Sequence, residues 1–207
     1  METERLKAFT DGVIAVIITI MVLEMKPPRE TTLSGLLQLW PVFLSYVLSY
    51  VYVGIYWNNH HHFCHLVREV TGGILWANLG LLFFLSLVPF TTAWAGEHAF
   101  ATLPTALYGL SLLTCALAWY VLQMVIIRAQ GKSSLMKQAL GADWKGKASP
   151  ILYLAGIALA FVAPLASYVL YAVVACLWVV PDYRVERLVK ELKHPDRKAD
   201  VRHASDG

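Results

Sequence analysis

Charge is what this sequence has least of. Asp, Glu, Lys and Arg together make up only 15% of its 207 residues, whereas soluble domains carry about a quarter. Apolar residues reach 57% and the mean hydropathy is +0.55, which excludes a disordered chain. Cysteine is scarce too. Cys64, Cys115 and Cys176 lie within or beside apolar runs and have no metal-ligand spacing, so a disulfide scaffold is excluded and the three read as small hydrophobes. A net charge of +3 with no single basic cluster leaves no surface for nucleic acid. Missing as well are a Gly-x-x-x-x-Gly-Lys loop, a paired Asp-rich motif, a serine nucleophile elbow and a Thr-Val-Gly-Tyr-Gly carbonyl filter. An ATP-driven pump and a channel of the usual carbonyl-filter type are both disfavoured. No cofactor is expected. No repeat of 20 to 50 residues is evident, so a central pathway would have to be built from several copies.

What is present is a set of long apolar runs. Six candidate spans emerge between charges, prolines and glycines, at roughly 7 to 25, 36 to 58, 73 to 93, 103 to 127, 149 to 163 and 165 to 181, and the expected class is an all-α membrane protein. The last two come from one uncharged run, Ser149 to Pro181. As a single helix that run would reach about 50 Å and overshoot a ~30 Å hydrocarbon core. It must fold back, and Pro164 is the natural turn. The opening segment contains Asp11 and lacks a small-residue cleavage site, so it reads as a retained first helix rather than a removable signal peptide.

Lys and Arg fix the expected orientation. With six spans, 15 of them fall on one side, including Arg5, Lys7, Arg68 and the seven of the tail, while only Lys26 and Arg29 fall on the other. Positive-inside bias places both termini in the cytoplasm of a multi-pass protein in the cell membrane. Residues 1–183 form the six-span domain and 184–207 a charged cytoplasmic tail, with a short helical extension ended by Pro195. A tail of this kind could bind anionic lipid, which keeps a non-conducting scaffold among the possible roles.

Ionisable groups inside spans are costly and raise functional hypotheses. Asp11 lies a turn or two inside the first span. The second span ends on the same side with Trp57, Asn58, Asn59, His60, His61 and His62, and the third begins there near Asn78. An Asp accepting hydrogen bonds from His or Asn would latch three helices together, and the same groups could relay protons. Among the histidines, His61 and His65 are spaced to face one ion, but a third strong ligand is missing nearby, so no metal is assigned. Around the first helix, Val16, Thr19, Ile20 and Leu23 form a stripe under a third of the circumference, about 140° from Asp11. Such a stripe is either plain packing or, in symmetric copies, the wall of a narrow pore. In the second case Val16, Ile20 and Leu23 would gate by dewetting and the Thr19 hydroxyls would contact a partly dehydrated ion. Glu24 and Glu97 read as solvated helix ends or as acidic rings that enrich cations. Trp40, Trp57, Trp76, Trp94, Trp119, Tyr120, Trp178 and Tyr183 read mostly as interfacial anchors, and Gly156, Ala158 and Ala160 permit close helix contact.

The segment Arg5-x-x-x-Phe9-Thr10-Asp11-Gly12, continuing to Glu24 and Met25-Lys26-Pro27-Pro28, resembles the first-helix signature of the transmembrane protein 175 family, whose motif reads Arg-x-x-x-Phe-Ser-Asp. Thr10 keeps the hydroxyl of the usual Ser. The resemblance continues through Trp57-Asn58-Asn59-His60-His61, Asn78-Leu79 and Pro89-Phe90-Thr91. It implies a potassium-permeable channel without a carbonyl filter, built as a homotetramer of six-span subunits with the first helix lining the pore. The family's narrowest hydrophobic position falls on Val16, where larger Ile or Leu is common. A smaller side chain there would widen the gate or pass its role to Ile20 or Leu23. The selectivity-related threonine falls on Thr19. Arg5, Phe9, Thr10, Asp11, Trp57, Asn59, His60, His61 and Asn78 are implied to be inter-helix anchors near that pore. The expected partners are potassium ions and the lipid bilayer. A proton-permeable or proton-coupled pathway through Asp11 and the histidines is the competing reading.

Overall fold

In a computed structural model the described residues are 3–67, 69–131, 134 and 144–179. Among them the chain forms eight helices: α1 (Thr3–Leu23), α2 (Leu33–Leu37), α3 (Trp40–Cys64), α4 (Gly72–Ser86), α5 (Val88–Glu97), α6 (Thr102–Gln130), α7 (Trp144–Ala160) and α8 (Pro164–Val179). Every expected span is occupied by helix. By length and apolar content, 3–23, 72–97 and 102–130 can cross a membrane, and 164–179 is a shorter apolar helix. The expected tail at 184–207 and the cationic loop positions Arg68, Lys132 and Lys137 lie outside the described residues.

The third expected span is two helices rather than one. α4 ends at Ser86 and α5 starts at Val88, with Pro89 in its first turn, because proline has no N–H to continue the α-helical ladder and fits only the start of a new turn. The run from Ser149 likewise breaks at 161–163, and Pro164 opens α8, so α7 and α8 pack back to back as a hairpin. One element had no apolar signal. α2 is a five-residue helix in the connection after α1, started by Thr32, whose hydroxyl accepts from the Gly35 N–H at 3.1 Å.

Two packed regions hold the bundle. The first joins α1, α3, α4 and α6 through Leu6, Ile14, Ile17, Met21, Val53, Leu81, Leu85 and Trp119 among others. The second lies between α3, α6, α7 and α8 and is built on tyrosine: Tyr52, Tyr108, Tyr153, Tyr168 and Tyr171. Tyr171 of α8 enters a slot made by two glycines, Gly109 of α6 and Gly156 of α7, where an added Cβ on either would overlap its ring. Gly156 thus serves contact within one chain. Trp119, expected at an interface, is buried with Phe63 against its ring at 4.7 Å and Tyr56 at 6.0 Å.

In lipid the ordering of helices rests on such packing and on interhelical hydrogen bonds, not on apolar burial from water. A directional hydroxyl chain crosses the bundle interior. Tyr108 donates to Ser49 (3.0 Å), Ser49 to Thr92 (2.6 Å) and Thr92 to the Val88 carbonyl (2.7 Å), so each of the three protons has an acceptor and α3, α5 and α6 are joined. Near it α3 and α5 cross closely, since a Cβ on Gly96 would come within 2.7 Å of the Val42 backbone.

Candidate functional site

α1 has two apolar faces. Leu6, Thr10, Ile14, Ile17 and Met21 are buried and pack against α3, α4 and α5. The opposite face is open: Val16, Thr19, Ile20 and Leu23 are exposed, Leu23 the most at 74%. Only 28% of the apolar stretch of α1 is buried by its own chain, against 39% for 72–97 and 50% for 102–130. Of these three long apolar stretches, the one that is richest in candidate site residues is therefore the one its own subunit covers least. At about 100° per residue, Arg5 and Phe9 fall on the same arc as Val16 and Leu23, and both are exposed. They do not join the inter-helix cluster expected of them. The register of the helix turns them outward with the stripe.

Thr19 is the one hydroxyl on that face. It donates to the Ala15 carbonyl one turn back at 2.8 Å. With its only proton directed into the helix, its oxygen keeps both lone pairs for an outside partner.

The polar residues at the N-terminal end of α1 form two separate ties. In the buried one, His60 Nε2 donates to Asn78 Oδ1 at 3.0 Å and Asn78 Nδ2 donates to Thr10 Oγ1 at 2.9 Å, joining α3, α4 and α1. With Nε2 carrying the proton, the other ring nitrogen of His60 is left to accept from the Cys64 thiol, whose sulfur lies 3.5 Å away. The second tie is at the surface, where Trp57 Nε1 donates to Asp11 Oδ1 at 2.9 Å. Asp11 was expected to take its hydrogen bond from His or Asn. It meets Trp57 instead, because Asp11 lies about a quarter of a turn round α1 from Thr10 and only Thr10 faces the buried pair. The helix periodicity could have given this separation; the choice of Trp57 as donor could not be read from spacing.

Two other expected anchors lie elsewhere. Asn59 lines a cavity of about 40 Å³ between α3, α6, α7 and α8, with Tyr56, Gln123, Ser149 and Tyr153, on the far side of α3 from Asp11. His61 faces His65 one turn on, with their Nε2 atoms 3.4 Å apart, and its ring lies 6.4 Å from that of Trp57. Among the described residues no three of His, Cys, Asp and Glu converge on a point that could hold a metal ion.

At the other end of α1, Lys26 Nζ and Glu97 Oε1 form an ion pair at 2.8 Å that joins the segment after α1 to the end of α5. The hydrogen bond that Lys26 donates to Glu97, and then the negative charge of Glu97, raise the Lys26 pKa above the usual lysine value. Glu97 is thus partnered rather than a bare acidic end.

Comparison with known proteins places this geometry. Residues 5–89 match the family model described as endosomal/lysosomal potassium channel TMEM175. The chain is similar to a potassium channel of Chryseobacterium sp., 48% identical over 191 residues, which is 92% of this chain and 100% of that protein. It is also similar to human endosomal/lysosomal proton channel TMEM175, 30% identical over 116 residues, covering 50% of this chain and 23% of that one. Among solved structures, the crystal structure of a lysosomal potassium-selective channel TMEM175 homolog from Chamaesiphon minutus superposes with a TM-score of 0.76 at 29% identity, over 88% of this chain and 98% of that chain.

Proposed function

The chain belongs to the TMEM175 family, and from that premise we propose that it is a potassium-permeable cation channel whose conducting path is walled by α1 from four copies of the subunit. It is an integral membrane protein and not an enzyme. In this reading the six apolar segments each cross the cell membrane, both termini are cytoplasmic, and the Asp11 end of α1 faces the cytoplasm.

The observation that carries the reading is the open α1 face with Val16, Thr19, Ile20 and Leu23 on it. Four such faces around an axis stack rings of branched aliphatic side chains, and a narrow ring of that kind excludes water and blocks ions until it widens. The Thr19 ring supplies the polar exception. Its four oxygens, each with its proton tied back to Ala15, present lone pairs to a cation that has shed part of its hydration shell. No carbonyl filter is needed for a modest preference, which comes from pore diameter and hydroxyl geometry. The Thr10–Asn78–His60 tie anchors the buried face of the same helix and holds the open face toward the axis.

The test is chemical access. In a channel with exposed Cys176 replaced by Ala, Leu23→Cys and Val16→Cys are treated with a charged thiol reagent. Conductance of the reconstituted protein is expected to fall on modification at either site, while Ile14→Cys on the buried face does not respond. Unchanged conductance after complete modification at both open-face sites overturns the wall assignment.

A second reading, proton conduction, is favoured by the name of the human relative. It would use Asp11 and the histidines, but Asp11 is held by the non-titrating indole of Trp57 and His60 by Asn78, so protons would need a water bridge between the two ties.

A further inference from the structure

Of the four histidines around the end of α3, one is used in the buried tie and the others point away from it. His61 and His65 sit one helical turn apart, with Nε2 atoms at 3.4 Å, ring centroids at 4.9 Å and ring planes nearly perpendicular at 81°. Two imidazole nitrogens bound to one tetrahedral zinc ion at about 2.0–2.1 Å each lie about 3.4 Å from one another. The two nitrogens share a hydrogen bond at the separation such a site needs, and an ion that binds there displaces the proton between them. We propose that His61 and His65 form a chelating pair for a borderline transition-metal cation of the Zn²⁺ type, at the end of the bundle where Asp11 and Trp57 lie.

Two ligands suffice for reversible binding but not for a structural metal, and water completes the coordination. This reconciles the pair with the missing third ligand. His62 does not supply it: among the described residues no three of His, Cys, Asp and Glu converge on one point, and its side chain leaves the helix about 100° further round. His60 is turned inward to Asn78. The choice of cation follows from the donors. Imidazole suits zinc, copper and nickel, whereas Mg²⁺ and Ca²⁺ take oxygen ligands, so neither competes. The site also touches the surface tie. His61 packs against Trp57 at 6.4 Å between ring centroids, and Trp57 holds Asp11, so an ion that immobilises His61 acts next to the contact that joins α3 to α1. The metal site itself stands without the pore assignment, because it is read by binding alone.

The experiment is Zn²⁺ titration of the full chain, without an affinity tag, against a zinc-indicator dye. The wild type is expected to bind one Zn²⁺ per chain at this pair. His65→Gln and His61→Gln are each expected to weaken it by about tenfold or more, while His62→Gln binds as the wild type does and millimolar Mg²⁺ does not displace the ion. His65 is exposed at the helix end, so its substitution leaves the fold intact and decides the matter alone if His61→Gln does not fold. Unchanged Zn²⁺ affinity in His65→Gln, or no binding by the wild type, overturns the proposal.

Discussion

Asn78 donates to Thr10 across 2.9 Å from inside the bundle, both residues almost wholly buried, and so fixes the rotation of α1 about its own axis. That rotation decides which residues of α1 are left open. A turn of about 100° would expose Ile14 or Ile17, and in one of the two directions it would bury Val16 and Leu23 in their place.

Asn78→Leu should therefore destabilise the subunit by about 1–2 kcal/mol, the measure of an interhelical hydrogen bond in a membrane, because it leaves Thr10 and His60 without their shared partner. Thr10→Ser, which keeps the acceptor oxygen, should melt close to the wild type. Thermal melting in detergent, followed by size-exclusion chromatography, distinguishes the two. Equal losses for both variants would mean that volume rather than the hydrogen bond matters at Thr10.

The glycine slot gives a packing prediction. Gly156→Ala or Gly109→Ala puts a methyl group into the Tyr171 ring, and the expected cost is about 1–3 kcal/mol for overpacking. Combining Gly156→Ala with Tyr171→Leu should recover part of the loss, since the smaller side chain vacates the slot. No recovery in the double variant would place the strain elsewhere.

Thr19→Ala should reduce the preference for potassium over sodium while leaving current in place, and Thr19→Ser should retain the preference. Bi-ionic reversal potentials measure this directly. The hydroxyl, with its proton held by Ala15, is the group at stake, so a Thr19→Val channel should behave like Thr19→Ala despite keeping the branched shape.

Asp11→Asn separates the latch from a proton pathway. An amide oxygen can still accept from Trp57, so assembly and potassium current are expected to persist, and Trp57→Phe should loosen the α1–α3 contact more than Asp11→Asn does. Loss of pH-driven flux in Asp11→Asn with potassium current unchanged would favour the proton reading instead.

Much of the candidate site was legible because α-helical periodicity is a local property. The stripe of Val16, Thr19, Ile20 and Leu23, and its separation from Asp11, follow from about 100° per residue once the segment is known to be helical. The partners were not legible. Asp11 facing Trp57, His61 facing His65 and Asn59 turned to a cavity on the other side of α3 depend on how α3 is rotated against its neighbours. An almost uniformly apolar helix gives no hydrophobic stripe from which that rotation can be read.

The sequence alone determined that this chain is a bundle of apolar helices, that the run from Ser149 folds back at Pro164, and which residues share one side of the first helix. Each of these depends on chain-local rules: transfer cost to lipid, the missing proline N–H and 3.6 residues per turn. Only the tertiary structure decided which side of α1 is covered, that five tyrosines and two glycines close the far half of the bundle, and that the polar end splits into two ties. Those outcomes depend on side chains far apart in the chain meeting at hydrogen-bond and van der Waals distance, and no local pattern encodes which of several polar partners will be within reach.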